Sequence, residues 1–431
     1  MSRINTNINS LIAQRVLGQQ NSRLTKSLER LSTGLAINRG ADNPAGLIAS
    51  EKLRVEKVSL AAALDNAERA DQIVNIAEGG LQEISSLLIE VQSLVEQTAS
   101  DAGLSQAEKD ANQLQIDSIL QTIDRIAATT SFQGTKLLNG TFDFQVAAVD
   151  ADVVDFEING AKIAANSTQD VTALITQSAQ HAGLFLGLVA AVVNTGADDA
   201  DSRLTFELAG AKGSREFSFA SGTAIADVIS TINQFKSVTG VSAVIEGANS
   251  VNLKSTEFGS AQFVSVELKD VTAGQIGNVD QQNATNEAVA AGAATNFTAL
   301  TAAERDEGQD IGAIINGVTA RGRGLTASIN TDVLGISVTL TSGANGAQGL
   351  GSISVLTISG GGASFNLGPT IDLNNQVRLG IKNVVARNLG STLVGGFLDD
   401  IGAGKSFDLN NSDLETTQKI VAKAIDQVAT L

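Results

Sequence analysis

Near the start of the chain, apolar residues recur every three or four positions, which is the period of an amphipathic α-helix. They fall into two groups and together predict one apolar stripe: Ile4, Ile8, Leu11, Leu24, Leu28, Leu31 and Leu35. Between the groups the stripe weakens, at Arg15 and Gly18. We predict a first helix from Ile4 to about Thr33 that is marginally stable alone, because an isolated helix depends on packing.

The helical pattern stops after Gly34 and resumes at Asn43. Gly34 suits the position just past a helix C-terminus, where glycine adopts the left-handed conformation without strain. Asp42 or Asn43 is a suitable N-cap, and Pro44 fits a first helical turn because its missing N–H has no partner there. The segment is therefore predicted to be a helix end, a loop and a new helix start.

The second helix carries the most regular apolar pattern in the chain, with steps of four and three between Ala63 and Thr98. A register kept over about five heptads favours coiled-coil packing. The predicted packing residues of this helix are Val74, Leu81, Ile84, Leu88, Val91 and Val95. Ser105 and Glu108 are spaced as a capping box that begins a third helix, so the two helices are predicted to form an antiparallel hairpin.

Beyond Gln133 the pattern changes to short alternating stretches that are rich in Gly, Ser, Thr, Val and Ala. The stretch KLLNGTFDFQV predicts a β-hairpin with Asn139 and Gly140 at its turn. Two similar stretches, FEINGAK from Phe156 and FELAGAK from Phe206, suggest an internal repeat, with AIINGVTA from Ala313 as a weaker third copy. We predict repeated β-rich modules, although chance similarity in low-complexity sequence also explains the third copy.

A helical pattern returns at the end of the chain, where Ser412 and Glu415 are spaced as a capping box. Val421 and Val428 belong to its apolar stripe and are predicted to pack in the rod. The sequence then ends at Leu431 without the usual helix-end signals, so we expect the chain to lack a C-terminal portion. The predicted fold is α+β: a long antiparallel helical coiled-coil rod near the termini, with β-rich modules inserted between.

Composition removes several classes of chemistry. The 431 residues carry a net charge of −17, include no Cys, Trp or Tyr, and contain one His. Thiol nucleophiles, cysteine zinc sites and HExxH metal sites are therefore impossible, and His181 is predicted to be an ordinary surface or half-buried residue. Because no basic stripe is present, we expect no nucleic-acid partner. We predict no catalytic residue, no metal site and no cofactor.

Membrane and export signals are also missing from the pattern. The longest apolar stretch runs from Ala182 to Val193, which is too short to span a bilayer. The start MSRINTNINS lacks the charged region, apolar core and cleavage site of a secretory signal. We expect no membrane partner, and we expect any export to use a route without a cleavable signal.

Several long stretches resemble bacterial flagellin. They are RINTNINSLIAQRVL, LERLSTGLAINRGADNPAGLIASEKL, NAERADQIVNIAEGGLQEISSLL and SFQGTKLLNG, which together cover about the first 140 residues. DLETTQKIVAKAIDQVATL resembles the start of the C-terminal helical region of that family. FSFASGTAIADVISTINQFKSVTGVSAVIE resembles repeats in the variable outer part of some flagellins.

The resemblance implies a structural subunit that assembles with copies of itself into the flagellar filament for motility. It assigns residues 1–42 to an assembly helix and spoke, 43–139 to a helical rod, 140–405 to variable outer domains with internal repeats, and 406–431 to the start of a truncated C-terminal rod helix. It further implies an extracellular location, with an export chaperone, the filament cap and hook-junction proteins as partners. Because the final helices of the family are missing, we expect this chain alone not to polymerise and residues near 1–40 to be mobile.

The resemblance also places a possible face for an animal innate immune receptor at Glu90, Leu94 and Gln97. Glu90 stands where many flagellins carry an arginine, and a reversed charge at a contact weakens binding, so recognition is doubtful. Two other interpretations stay open: the hook–filament junction protein, which has similar ends, and a surface adhesin whose β-rich insert is carried on a helical stalk. An enzymatic insert of the metalloprotease type would require HExxH, which the chain lacks.

Overall fold

The computed structural model describes residues 7–99, 104–164, 167–188, 193, 203–247, 249–270, 277–283, 287–288, 295–297, 302–343, 348–410 and 413–431. Its α-helices are α1 (Ile8–Thr33), α2 (Pro44–Thr98), α3 (Gln106–Thr129), α4 (Ile225–Gln234), α5 (Lys236–Thr239) and α6 (Leu414–Ala429). The chain divides into two compact units. Unit 1 comprises Met1–Asp71 and Phe365–Gln376, and unit 2 comprises Gln72–Ser364 and Val377–Leu431.

Two predicted helix boundaries of unit 1 are confirmed, the end of α1 near Thr33 and the start of α2 after Asn43. The predicted start of α1 at Ile4 lies outside the described residues; in the structure the Asn7 side chain accepts a hydrogen bond from the Ser10 N–H, and α1 begins at Ile8. Gly34 ends the helix in the left-handed conformation, with φ of 69°. Asn43 caps α2 through its Oδ1, which lies 2.9 Å from the Gly46 nitrogen. Unit 1 has almost no core, because Ala63 is the only hydrophobic residue that is buried among those described.

In unit 2, α2 and α3 form the predicted antiparallel pair. The Gln115 side chain donates to Glu90 at 2.9 Å, and Asn112 donates to Thr98 at 3.1 Å. The capping box at the start of α3 is present, since the Ser105 N–H donates to Glu108 at 2.7 Å. The later residue of α3 thus pairs with the earlier residue of α2, as an antiparallel arrangement requires.

Most of the predicted packing residues of the helices are buried: Ile84, Leu88, Val91, Val95, Val421 and Val428. Leu81 is half-buried. The prediction is wrong for Val74, which is 38% exposed while its neighbour Ile73 is buried. Ile73 precedes Ile84 by 11 residues, close to three full turns of a 3.6-residue helix, whereas a strict heptad register drifts away from the core by about 20° per heptad.

The segment before α6 also packs on α3. Buried Gln113 donates to the Ile401 carbonyl and accepts from the Leu409 N–H, both at 3.0 Å. The Ala386 N–H donates to Asp124 at 2.8 Å. This segment contains short 3₁₀ turns and the strand pair β23 (Gly390–Ser391) and β24 (Gly396–Phe397), which follow the strands of the two modules described next. At α6 the N-cap is Asp413, and the predicted cap Ser412 lies outside the described residues.

The predicted hairpin over KLLNGTFDFQV is wrong. Strands β1 (Ser131–Phe132) and β2 (Thr135–Lys136) pair with each other, while β3 (Phe144–Ala147) pairs with a strand about 200 residues later, Gly351–Gly361. Leu137 and Leu138 are fully buried and lie in no strand. The Asn139 side chain accepts from the Thr141 N–H at 3.1 Å, so the Asn–Gly pair makes a local turn without joining two paired strands.

We call the first β-rich part of unit 2 module A. Besides β3 it contains β4 (Val153–Ala161), β5 (Gln169–Gln177), β15 (Gly312–Ile315), β16 (Val318–Thr319), β17 (Arg321–Arg323), β18 (Thr326–Asn330), β19 (Leu334–Leu340), β20 (Gly351–Gly361) and β22 (Gln376–Leu379), with β21 at Ala363–Asn366. One sheet has the order β16-β15-β5-β20-β3, and the other contains β17-β18-β19-β4-β22. Their inner faces form one aliphatic core.

Module B is inserted between β5 and β15. It contains β6 (Gly183–Leu188), β7 (Arg203–Gly210), β8 (Gly213–Ala220), β9 (Val241–Glu246), β10 (Ser250–Ser255), β11 (Phe263–Asp270), β12 (Gly277–Gln281), β13 (Thr295–Asn296) and β14 (Glu304–Glu307). Its sheets have the orders β13-β12-β6-β10-β9 and β14-β11-β7-β8. Three residues of α4, Ile225, Val228 and Ile232, complete a second core.

Two neighbouring chain segments connect the modules. Gln180 and Gln309 exchange backbone hydrogen bonds of 2.9 and 3.0 Å where the chain enters and leaves module B. His181 follows directly and is half-buried, as predicted; its Nδ1 lies 2.5 Å from Glu287 and its ring lies on Phe258. The similar stretches at Phe156, Phe206 and Ala313 form strands in three different sheets, so the predicted repeat is not a repeated module.

None of the helices in the described part of the chain has the length and apolar character that crossing a bilayer requires.

A candidate self-association surface

No residue of helix α1 is buried, and all of them except Glu29 are exposed. The described members of the predicted stripe are between 44% and 82% exposed: Ile8, Leu11, Leu24, Leu28, Leu31 and Leu35. Ile4 lies outside the described residues. Such side chains usually bury most of their surface in a folded protein, so α1 presents unpartnered apolar area.

The two groups of the stripe do not share one side of α1, which corrects the prediction of a single stripe. Leu24 follows Leu11 by 13 residues, and at 3.6 residues per turn this is three turns plus about 220°. Since α1 is an uninterrupted helix, the groups form two patches on nearly opposite sides. We call Ile8, Leu11 and Ile12 the first α1 patch, and Leu24, Leu28 and Leu31 the second α1 patch.

The loop between α1 and α2 is tied to the end of α1. Lys26 pairs with Asp42 at 2.9 Å, and Arg39 pairs with Glu29 at 3.1 Å. The Thr33 hydroxyl donates to Asn38 at 2.9 Å. The hydrogen bond from Lys26 lowers the pKa of Asp42 below its ordinary value. These contacts fix the path of the loop between α1 and α2, although none of its residues belongs to a hydrophobic core.

We expect Asp42→Asn to loosen the loop between α1 and α2 above about pH 4, with an effect that fades as the pH falls further. A carboxylate whose pKa is lowered in the folded state contributes stability above its unfolded pKa, and this contribution is lost as the pH falls through the lower folded value. Amide exchange of residues 34–43, measured from pH 3 to pH 7, tests this. Asp65→Asn, on exposed α2, is the control and should leave the profile unchanged; an unaltered profile in Asp42→Asn would contradict the ion-pair role.

The first part of α2 extends the apolar surface of unit 1. Six of its large hydrophobic side chains are exposed: Ile48, Leu53, Val55, Val58, Leu60 and Leu64. Ile48 and Val55 line an open groove of about 650 Å³ whose other side is Pro369 and Thr370. In the segment Phe365–Gln376, Ile371 is 84% exposed, so this segment adds to the same unpartnered area.

The exposed area is large enough to drive association only if several of these surfaces are covered together. Covering a half-exposed Leu or Ile contributes about 1 kcal/mol, so the eight exposed hydrophobic side chains of α1 are worth about 8 kcal/mol. Association costs roughly 4–15 kcal/mol in lost freedom of motion. The value for α1 alone lies within that range and is therefore marginal, whereas the six exposed side chains of α2 raise the sum to about 14 kcal/mol, close to the top of the range.

Comparison with known proteins agrees with this picture. Residues 4–143 match the family described as the bacterial flagellin N-terminal helical region, and residues 203–257 match the flagellin hook IN motif. Polar flagellin F of Vibrio parahaemolyticus is 36% identical over 162 residues, which are 37% of this chain and 43% of that protein. The N-terminal third of the chain is thus similar to bacterial flagellins.

A second relative gives the same extent of match. Flagellin E of Vibrio cholerae is 38% identical to this chain over 162 residues, with the same shares of the two chains. The chain thus spans about two fifths of the length of the curated relatives it matches. Among solved structures, the D2–D3 domains of the flagellar cap protein FliD from Serratia marcescens align with 44% of this chain at 18% identity. The TM-score is 0.28, which is too low to indicate a shared fold.

Of the predicted receptor face, two residues are at the surface. Glu90 and Gln97 are exposed, but Leu94 is only 6% exposed. Glu90 also accepts a hydrogen bond from Gln115, so its carboxylate is partly engaged. Leu94 contributes to the helical core, and a protein ligand would reach mainly the two polar residues.

Sequence reasoning missed the segment Phe365–Gln376. It lies about 300 residues from the helices it accompanies, and the Asn66 side chain donates to the Asn366 carbonyl at 3.3 Å. The signal that could have found it is FNLGPTIDLNN, which holds one of the two prolines and several apolar residues within an otherwise β-rich region. The helix that this segment contacts could not be predicted from the local sequence pattern.

Proposed function

We propose that this protein is a flagellin, a structural subunit that assembles with copies of itself into the bacterial flagellar filament for motility. The observation that carries the proposal is the pair of apolar patches on nearly opposite sides of α1. A helix that lies on one surface needs one apolar side. A helix with two apolar sides buries both of them only when other chains pack against both sides, as neighbouring subunits do in a helical array.

The remaining features fit such a subunit. We propose that α2, α3 and α6 belong to a coiled-coil rod, supported by the buried residues Ile84, Leu88, Val91 and Val421. The four regions 1–42, 43–139, 140–405 and 406–431 are then assembly helix with spoke, rod, outer domains and returning rod helix. The contacts of residues 386–409 with α3 support this assignment for the end of the third region.

The partners and location follow from this role. We propose an extracellular filament location, reached by flagellar export without a cleavable signal, and no catalytic activity. The export chaperone, the filament cap and the hook-junction proteins would be contacted in transit or at the filament ends. Self-association remains the main interaction, since the largest unpartnered apolar area of unit 1 lies on α1 and the first part of α2.

Immunogold electron microscopy of the source bacterium tests the proposal. An antibody raised against module B, with a strain that lacks the gene as control, should label filaments along their whole length. Deleting the gene should remove these labelled filaments, and restoring it should bring them back. Label confined to the short zone between hook and filament would instead support the junction protein, and label on a non-filamentous surface would support the adhesin.

A further inference from the structure

A polar cleft lies in unit 2, between module A, module B and α6. It encloses about 650 Å³, and its floor is the face of the sheet formed by β17, β18, β19 and β4. Cavities of this size are typical of small-molecule sites, but most are lined by apolar side chains. This cleft is lined by hydroxyl, guanidinium and carboxylate groups, so a ligand that matched it would be strongly polar.

The floor is an ordered array of two rows that cross four strands. Residues paired across strands point to the same face of a sheet, and so do residues two apart in one strand. The first row is Arg321, Ser328, Ser337 and Glu157. The second row is Arg323, Thr326, Thr339 and Asp155. Each row runs from guanidinium through two hydroxyls to carboxylate, over about 14 Å at the usual strand spacing.

The carboxylate end of the array already has partners. Lys423 of α6 lies 3.5 Å from Asp155, Lys382 lies 3.4 Å from Glu157, and the Thr430 hydroxyl donates to Glu157 at 3.3 Å. These oxygens keep acceptor capacity for neutral hydroxyl donors, since an ionised carboxylate has about four acceptor positions. Because each carboxylate already has a lysine nearby, neither requires a cationic ligand to neutralise its charge.

The arginine end is different. Both arginines are exposed, and within the described part of the chain the Arg321 guanidinium forms no ion pair or hydrogen bond. The positive charge of Arg323 helps to lower the pKa of Asp310, without a direct hydrogen bond between the two side chains. A guanidinium binds a carboxylate through two parallel hydrogen bonds, so two arginines at adjacent row positions make a receptor for one or two carboxylates.

The middle of the array suits a polyol. The hydroxyls of Thr326 and Thr339 lie 2.9 Å apart, and Ser328 and Ser337 lie in the adjoining row, all four half-buried. Each hydroxyl donates one hydrogen bond and accepts others, as the hydroxyls of a sugar ring do. The backbone groups of β18, β19 and β4 are used within the sheet, so a peptide would find few backbone partners there.

We propose that this cleft binds a short acidic oligosaccharide, with its carboxylate at Arg321 and Arg323 and its ring hydroxyls on the serine and threonine side chains. The affinity is weak, because the chain has no Trp or Tyr for stacking and the ring of Phe258 at the cleft is covered by His181 at 3.6 Å. None of the proposed contact residues belongs to the α1 patches, so this binding and filament assembly are independent properties.

Isothermal titration calorimetry of the full chain with 3′-sialyllactose and with lactose tests the proposal. The acidic sugar should bind with millimolar affinity and lactose at least about tenfold more weakly, the effect of losing a charge-assisted hydrogen-bond pair. Arg321→Gln with Arg323→Gln should reduce binding of the acidic sugar by about tenfold, and Ser337→Ala should reduce it about threefold without changing charge. Arg125→Gln, on the exposed surface of α3, is the matched control and should bind as the wild type does.

Circular dichroism of each variant tests whether the fold is retained. We expect it to be retained in the double arginine variant, because both arginines are exposed residues of a short strand. Equal binding of lactose, unchanged binding in the double arginine variant or absence of saturable binding by the acidic sugar would overturn the proposal. Tighter binding of a hexaglutamate peptide than of 3′-sialyllactose would also overturn it and would make the cleft a site for acidic peptides.

Discussion

Cells whose copy of this gene carries Leu24→Asp and Leu28→Asp should make no filaments and should not swim. Both leucines belong to the second α1 patch and are more than half exposed in the single chain. In a filament they would be covered by neighbouring subunits, and each aspartate would then be a carboxylate buried without a partner. Such a charge costs several kcal/mol at each contact, which weakens every subunit addition by about a thousandfold or more.

The control variant is Thr25→Asp, which adds the same charge to the same turn of α1. At 100° per residue, position 25 points about 90° away from each of the two patches. We expect filaments and swimming to persist in this variant, as seen by negative-stain microscopy and motility plates. Filaments of normal length in the double leucine variant would show that the second α1 patch is not an assembly surface.

In the dissolved single chain, the two parts of α2 should differ greatly in hydrogen exchange. Residues between Ile84 and Val95 pack in a helical core, whereas residues between Ile48 and Leu60 have exposed apolar side chains on several sides. Opening of an unpacked helical segment costs little free energy, while opening of a core helix approaches the full stability of the domain. We expect amides near Ile48 to exchange within about tenfold of the unprotected rate, and those near Leu88 to be slower by about a thousandfold or more.

Mass spectrometry of deuterium uptake, with peptides that separate the two parts, measures this difference within one helix of one molecule. The same experiment on filaments from the source bacterium should show strong protection in both parts, because neighbours then cover the first. Equal protection of the two parts in the single chain would mean that unit 1 is stable without neighbours. The proposal of a self-association surface would then lose its physical basis.

The helix ends could be predicted because their determinants are local. Asn7 was not predicted as a cap, but Gly34, Asn43 and the capping box of Ser105 each act within four residues of their own position. The heptad pattern also predicted most of the helical core correctly. It was wrong at Val74, where the 3.6-residue period of a real helix separates the apolar side from a heptad register.

Strand pairing could not be predicted in the same way. The end of the stretch KLLNGTFDFQV was correctly predicted to form a strand, but the partner of that strand, β3, is β20, about 200 residues later. Alternation shows which face a side chain takes and not which strand lies beside it. For the same reason, the similar stretches at Phe156 and Phe206 suggested a repeat, although their neighbours in the fold differ.

The candidate surface was partly predictable. The exposed leucines of α1 stand out in the sequence because they have a helical period and no nearby partner. Their division between opposite sides requires knowing that the helix runs without interruption through Arg15 and Gly18, which the pattern alone left open. The contribution of Phe365–Gln376 depends on a contact between residues 300 positions apart, here Asn66 and Asn366, and no local rule predicts such a contact.

The connection at Gln180 and Gln309 has a consequence for how this protein can change over generations. Residues paired in an antiparallel bridge have Cα atoms about 5 Å apart, so the chain leaves module A and returns to it at almost one point. Any domain whose own termini lie that close can replace module B without altering the strands on either side. The gene therefore offers a natural exchange position at which module B can vary while the helical ends stay the same.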